Sequence, residues 1–140
     1  MSGPTGADAL GRESVAWIAT VRPDGRPHVV PLWFLWDGES ILVFSKAEAQ
    51  KVRNLRHDRR VMVAVGAPGL ETPAGLLEAV AELDPVATRA DLPSGFVAKY
   101  RARLTELGLS GEAFAQVYPQ PIRIRPTRWL DWGGPGWSAG

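Results

Sequence analysis

The sequence predicts a mainly β fold, in which six short antiparallel strands close into a barrel with helices packed outside it. Three observations carry this expectation. Short apolar runs recur between Gly, Pro and Asp turn signals, which is the punctuation of strands. Two turns, Arg22-Pro23-Asp24-Gly25-Arg26 and Asp37-Gly38, join consecutive runs as hairpins. The 140 residues are 45% hydrophobic and 22% charged, enough apolar material for one core and one domain.

The elements follow in order. Residues 1–11 are small and Gly-rich and read as a flexible arm. The run 15–21 (VAWIATV) is apolar on both faces, as in a strand covered on both sides. Residues 28–36 form its hairpin partner, and 41–44 are a third strand. At 46–57 the period changes: Ala47, Ala49, Val52 and Leu55 fall on roughly one helical face. Strands at 61–67 and 76–83 come next. Helices at 93–107, with Pro93 in the first turn and Gly108 past the end, and at 110–118 follow. The stretch 122–132 holds the last strand. The barrel domain therefore spans 12–132, and 133–140 is a flexible tail.

Composition narrows the function classes. A net charge of +1 gives no global attraction to nucleic acid or to an anionic membrane. The absence of cysteine removes thiolate catalysis, disulfide scaffolding and Cys-ligated metal. His28 and His57 stand alone, without metal-ligand spacing, and no metal site is expected. No apolar run reaches the roughly 20 residues that span a bilayer, and the N-terminus shows no leader pattern, so the expected address is cytoplasmic. Neither a nucleophile elbow nor a Gly-Lys phosphate loop occurs, so any redox or transfer chemistry falls to a cofactor. Six Trp in so short a chain need core, subunit or planar ligand as cover.

Three places stand out. Ser45-Lys46-Ala47-Glu48 fits a capping box at a helix start, where free backbone N–H groups favour an anion. Lys46, Lys51 and Arg53 lie within reach, and residues 46–60 carry six Lys/Arg against two acids. From spacing alone a solvated surface helix fits equally well. Pro31, in Val30-Pro31-Leu32-Trp33, removes one ladder donor; it marks either an edge strand or a seam whose free backbone groups meet a heterocycle. Trp129 and Trp132, beside Gly133-Gly134, either cover a ring or pack a contact.

In sequence order, the motifs ATVRPDGRPH (19–28), VPLWF (30–34), LVFS (42–45), KVRNLRHDRRV (51–61) and IRIRPTR (122–128) resemble the pyridoxamine 5'-phosphate oxidase-like superfamily, and within it the small flavin- and deazaflavin-dependent oxidoreductases. The resemblance implies a six-stranded split β-barrel that works as a homodimer, with cofactor sites at the interface. It implies a ring lying along Val30, Pro31, Leu32 and Trp33. The cofactor phosphate is then held by Ser45, Lys46, Gln50 and Lys51, with Arg53 adjoining, and Trp129 and Trp132 approach from the partner. FMN-binding members commonly carry an Arg before the Lys, where this chain has Gln50, and a basic residue where it has Val29-Val30. Coenzyme F-420, a deazaflavin with an anionic tail, is therefore the expected cofactor and FMN the alternative. The implied activity is hydride transfer to a small organic substrate. A non-catalytic flavin carrier and a haem-binding protein are the other classes that this barrel serves.

Overall fold

The computed structural model describes residues 3–85 and 92–138. Its elements are α1 (Gly6–Arg12), β1 (Ala16–Val21), β2 (Pro27–Leu32), β3 (Leu35–Trp36), β4 (Ile41–Ser45) and α2 (Gln50–His57). They continue with β5 (Arg60–Val65), β6 (Pro73–Leu83), α3 (Ser94–Leu107), α4 (Gly111–Val117), β7 (Gln120–Trp129) and β8 (Trp132–Gly133). The strands pair antiparallel in the order β2-β1-β5-β6-β7-β4-β3, and β8 adds to β6. Thus β2 and β3 are the two ends of the sheet, yet only Trp33 and Phe34 separate them in sequence. Three Cα steps cross at most roughly 11 Å, so the sheet must curl until its ends nearly meet. The result is the expected antiparallel barrel, split along one seam.

Alternation fills the barrel. Val61, Val63 and Val65 of β5, Leu77, Ala79 and Ala81 of β6, and Ile122 and Ile124 of β7 are all buried inward. Every residue of β4 is buried, because it has a second cover. Ile41 and Val43 join the barrel core, while Leu42 and Phe44 pack under α3 and α4 with Phe96, Tyr100, Leu104 and Phe114. Gly108 ends α3 at φ 70°, and Ser110 Oγ caps α4 by accepting from Ala113 N at 3.0 Å. No helix among the described residues is long and apolar enough to cross a membrane.

Four expectations are corrected. The strand expected over 28–36 breaks at Trp33-Phe34 and the one expected over 122–132 breaks after Trp129, which is why eight strands stand where six were expected. Phe34 is buried with its backbone served from α3: its N–H donates to Tyr100 Oη at 2.8 Å, and its carbonyl accepts from Tyr100 Oη and Lys99 Nζ, both at 3.0 Å. Side chains replace the ladder there. The helix expected from Lys46 starts at Gln50, because Ser45 is the last β4 residue, opposite Gln120, and its hydroxyl donates to the Lys46 carbonyl at 2.8 Å. It is fully buried and caps nothing. The N-terminal arm is a helix from Gly6, with Ala9 and Leu10 fully buried against the barrel. Thr5 N donates to Asp8 Oδ2 at 2.6 Å and Gly6 N to Asp131 Oδ2 at 2.9 Å, so arm and C-terminus hold each other. Past Trp132, Gly133 pairs with Pro73 and Gly134 N donates to the Gly69 carbonyl at 2.8 Å. Residues 1–2 of the expected arm and 139–140 of the expected tail lie outside the described residues.

Candidate functional site

The site is built where α2 crosses the open end of β1 and β2. Thr20 stands opposite His28 in the hairpin register, both facing α2's side of the sheet. Asn54, buried in α2, donates from Nδ2 to Thr20 Oγ1 at 2.8 Å and accepts from Gln50 Nε2 at 2.7 Å. Gln50 Oε1 in turn accepts from Arg53 Nη2 at 2.7 Å. This relay pins the first turns of α2 to the barrel wall. Both ends of the Gln50 amide are thereby occupied.

The pinned helix presents Lys51, which is half-buried. Burial lowers its pKa first, and the neighbouring Lys46 charge lowers it further. His28 is also held below its ordinary value, first by burial and then by the Arg22 and Lys51 charges. Its Nδ1 is buried without a hydrogen-bond partner. Arg22, Lys46 and Lys51 thus converge on one corner, and among the described residues none of the three is in an ion pair. Other cations of the basic segment are committed: Arg56 meets Glu48 at 3.4 Å and Arg60 meets Asp58 at 2.7 Å. Unpaired cations around a partly desolvated corner, with one orphaned imidazole nitrogen, suit a multiply charged oxyanion such as a phosphate. No group of three or more His, Asp or Glu among the described residues is placed to hold a metal.

Of the residues expected at the site, the structure brings Lys46, Gln50, Lys51 and Arg53 to this corner. Val30 and Leu32 share the half-buried face of β2 with His28. Pro31 faces outward opposite Trp17, while Trp33 turns away from the sheet, stacked at 5° on Tyr100 and Phe114 with centroids 4.6 and 5.5 Å apart. Trp129 lies opposite Leu77 and edge-on to Trp36, and Trp132 lies opposite Ala74 and against Trp137. Ala74 lies five residues along β6 from Ala79, the residue opposite Val61, which places Trp132 about 17 Å along that strand. His28 and Arg22 were missed by sequence reasoning. Their only signal was the inward alternation of β2 and the turn at its start.

Outside the barrel, β1, β5 and β6 leave an apolar wall uncovered. Trp17 sits between Pro31 and Ala64, and Ala19 between Val29 and Met62. Trp17 is 50% exposed and Val29 55%. A broad depression of about 650 Å³ continues the wall past Ala19, Pro27, Met62 and Val80.

Comparison with known proteins agrees with this architecture. An F-420 reductase structure aligns at 27% identity and a TM-score of 0.66, over 92% of this chain and 97% of its own. A conserved hypothetical protein from Mycobacterium tuberculosis aligns at 26% identity and a TM-score of 0.68, over 96% and 89%. HutZ, a haem storage protein from Vibrio cholerae, shares the fold at 20% identity and a TM-score of 0.60, over 91% and 93%. No curated protein sequence matches the chain. The pyridoxamine 5'-phosphate oxidase family model matches residues 5–133, nearly the whole of the described barrel, and the chain belongs to that family.

Proposed function

We propose that the protein is an oxidoreductase that binds the deazaflavin coenzyme F-420 and passes a hydride to a small organic acceptor. The observation that carries this reading is the corner around Lys51: three unpaired cations and an orphaned His28 nitrogen at the end of the strand that leads to the seam. The likeness to an F-420 reductase supports it.

Within this reading Lys51, Lys46 and Arg22 neutralise the cofactor's phosphate. The buried Nδ1 of His28 takes a hydrogen bond from the cofactor or gives one to it, according to its tautomer. Gln50 and Asn54 position the helix that carries Lys51. Val30 and Leu32 lay apolar surface beside the seam and keep water from the reacting face. When bound, the deazaflavin supplies the hydride. The chain contributes orientation and charge, with no obligatory acid or base of its own.

The uncovered wall around Trp17, Val29 and Met62 is the homodimer contact in this reading. It sets the cation corner beside a second subunit, where that subunit's Trp129 and Trp132 are available to cover a ring. Fluorescence quenching with F-420 and with FMN tests the proposal. Saturable F-420 binding, tighter than FMN, supports it, and preference for FMN assigns the site to the flavin instead.

A further inference from the structure

A second cavity, of about 210 Å³, lies between β2 and the α3–α4 layer. Its walls include Leu32, Trp33, Phe96, Phe114 and Tyr118, and no lining residue is charged. Protein interiors rarely keep voids larger than a water molecule. Here the surrounding cluster is otherwise well filled, with Phe96 and Tyr100 buried and in ring contact. Trp33 lines the cavity and is held in place by its two parallel stacking partners. Leu107, 60% exposed at the end of α3, also lines the cavity and so marks its rim.

We propose that this cavity binds a neutral, planar molecule of one or two fused rings carrying a hydroxyl or carbonyl, and that the carbonyl-bearing members are the acceptor class of the oxidoreductase: the hydride adds to the carbonyl carbon, water protonates the oxygen to give the alcohol, and the cofactor is left oxidised. The second clause rests on the function proposed above; the binding itself does not. Size sets the first limit: an apolar cavity of about 150 Å³ accommodates benzene, so 210 Å³ admits one substituted ring or a compact pair. Chemistry sets the second. With no charged wall, an ionic ligand would lose its hydration without a counter-charge. Two polar groups remain on the lining side chains, the Trp33 indole N–H as donor and the Tyr118 hydroxyl as donor or acceptor, and they match a ring bearing one oxygen. Position sets the third. Pro31 and Leu32 belong both to this cavity and to the strand proposed to face the cofactor ring, so a molecule held here sits next to that strand.

The test uses the full chain without cofactor, titrated calorimetrically with 2-naphthol and with naphthalene-2-sulfonate. The expected result is one 2-naphthol site per chain, with a shift of the Trp33 indole N–H resonance. The sulfonate should bind at least about tenfold more weakly, and Leu107→Trp, which fills the rim from an exposed position, should weaken 2-naphthol at least about tenfold. Circular dichroism verifies that the variant is folded; should it not fold, the Trp33 resonance in the wild-type protein decides alone. Absence of 2-naphthol binding, an unmoved Trp33 resonance, or equal affinity for the sulfonate overturns the proposal. Lys51→Ala should leave 2-naphthol binding unchanged. F-420 binding without 2-naphthol binding sinks this inference alone. The reverse result sinks the cofactor assignment and leaves the ring site standing.

Discussion

Replacing Tyr100 by Phe removes one oxygen and keeps the ring, which isolates the hydroxyl that closes the seam. Tyr100 is 2% exposed, and its Oη accepts from Phe34 N at 2.8 Å while its one proton is shared between the Ser14 carbonyl at 2.8 Å and the Phe34 carbonyl at 3.0 Å. Burial pushes its pKa up to about 12, so the group is a neutral hydroxyl at any physiological pH. In the variant the Phe34 carbonyl keeps Lys99, but the Phe34 N–H loses its partner inside the fold. An unsatisfied buried donor costs about 1–3 kcal/mol. For a chain of this length that corresponds to a fall in Tm of roughly 3–15 °C. Urea unfolding at fixed protomer concentration measures it, with an unchanged m-value showing that the denatured state is not the cause. The stack with Trp33 should survive, leaving tryptophan fluorescence native. A loss of stability below about 0.5 kcal/mol, the scale of ordinary surface changes, would show that the strand break is not held by this hydroxyl.

Other outcomes follow from the same structure. Lys51→Ala should weaken a phosphate-bearing cofactor by roughly ten- to a hundredfold, since charge-assisted contacts contribute about 1.5–3 kcal/mol. Arg103→Ala, an exposed pair with Glu106 on α3, should leave the affinity unchanged in the same titration. Trp17→Glu places a charge on the bare outer wall, and sedimentation should then report the 15.2 kDa chain rather than twice that mass. Lys99 is held down to about 8 by burial, against 10.5 when unfolded. The unfolded chain therefore binds the extra proton between those values, and stability should rise as pH increases from about 8. Above about pH 10 the unfolded Tyr100 releases its proton while the folded one keeps it, which opposes the rise. Lys99→Met should remove the first limb in pH-dependent urea unfolding and leave the second.

Much of the fold was legible because local chemistry and tertiary packing agree. The turn at Asp24-Gly25 forms as its residues demand, with Gly25 at φ 91° and Asp24 Oδ1 accepting from Arg26 N. Gly38 takes φ 94° in the second hairpin, and Gly108 ends α3 as expected. The sequence misled where two local rules competed. Ser45 satisfies a capping pattern, yet burial in β4 and pairing with β7 claim it first. The Gly-rich start hides a helix because Leu10 gains more from the barrel than the glycines cost. The basic half of the candidate site was legible as an excess of Lys and Arg on one segment. Which of those cations remain unpaired was not, because Glu48 and Asp58 choose their partners only once α2 and β5 are placed. His28 lacked any spacing that marks a site, and only the folded hairpin sets it beside Lys51. The packing of Trp33 under α3 was not legible, because Tyr100 and Phe114 are far from it in sequence.

The most direct test of the cofactor assignment is a titration of the purified protein with F-420 and with FMN, followed by fluorescence quenching at low and high salt. The F-420 assignment predicts one F-420 per subunit, bound more tightly than FMN. It also predicts an F-420 affinity that falls as salt screens Lys46, Arg22 and the exposed Arg59, while the half-buried Lys51 is screened less. FMN co-purifying at one per subunit and resisting excess F-420, or F-420 binding unaltered in Lys51→Ala, would contradict it.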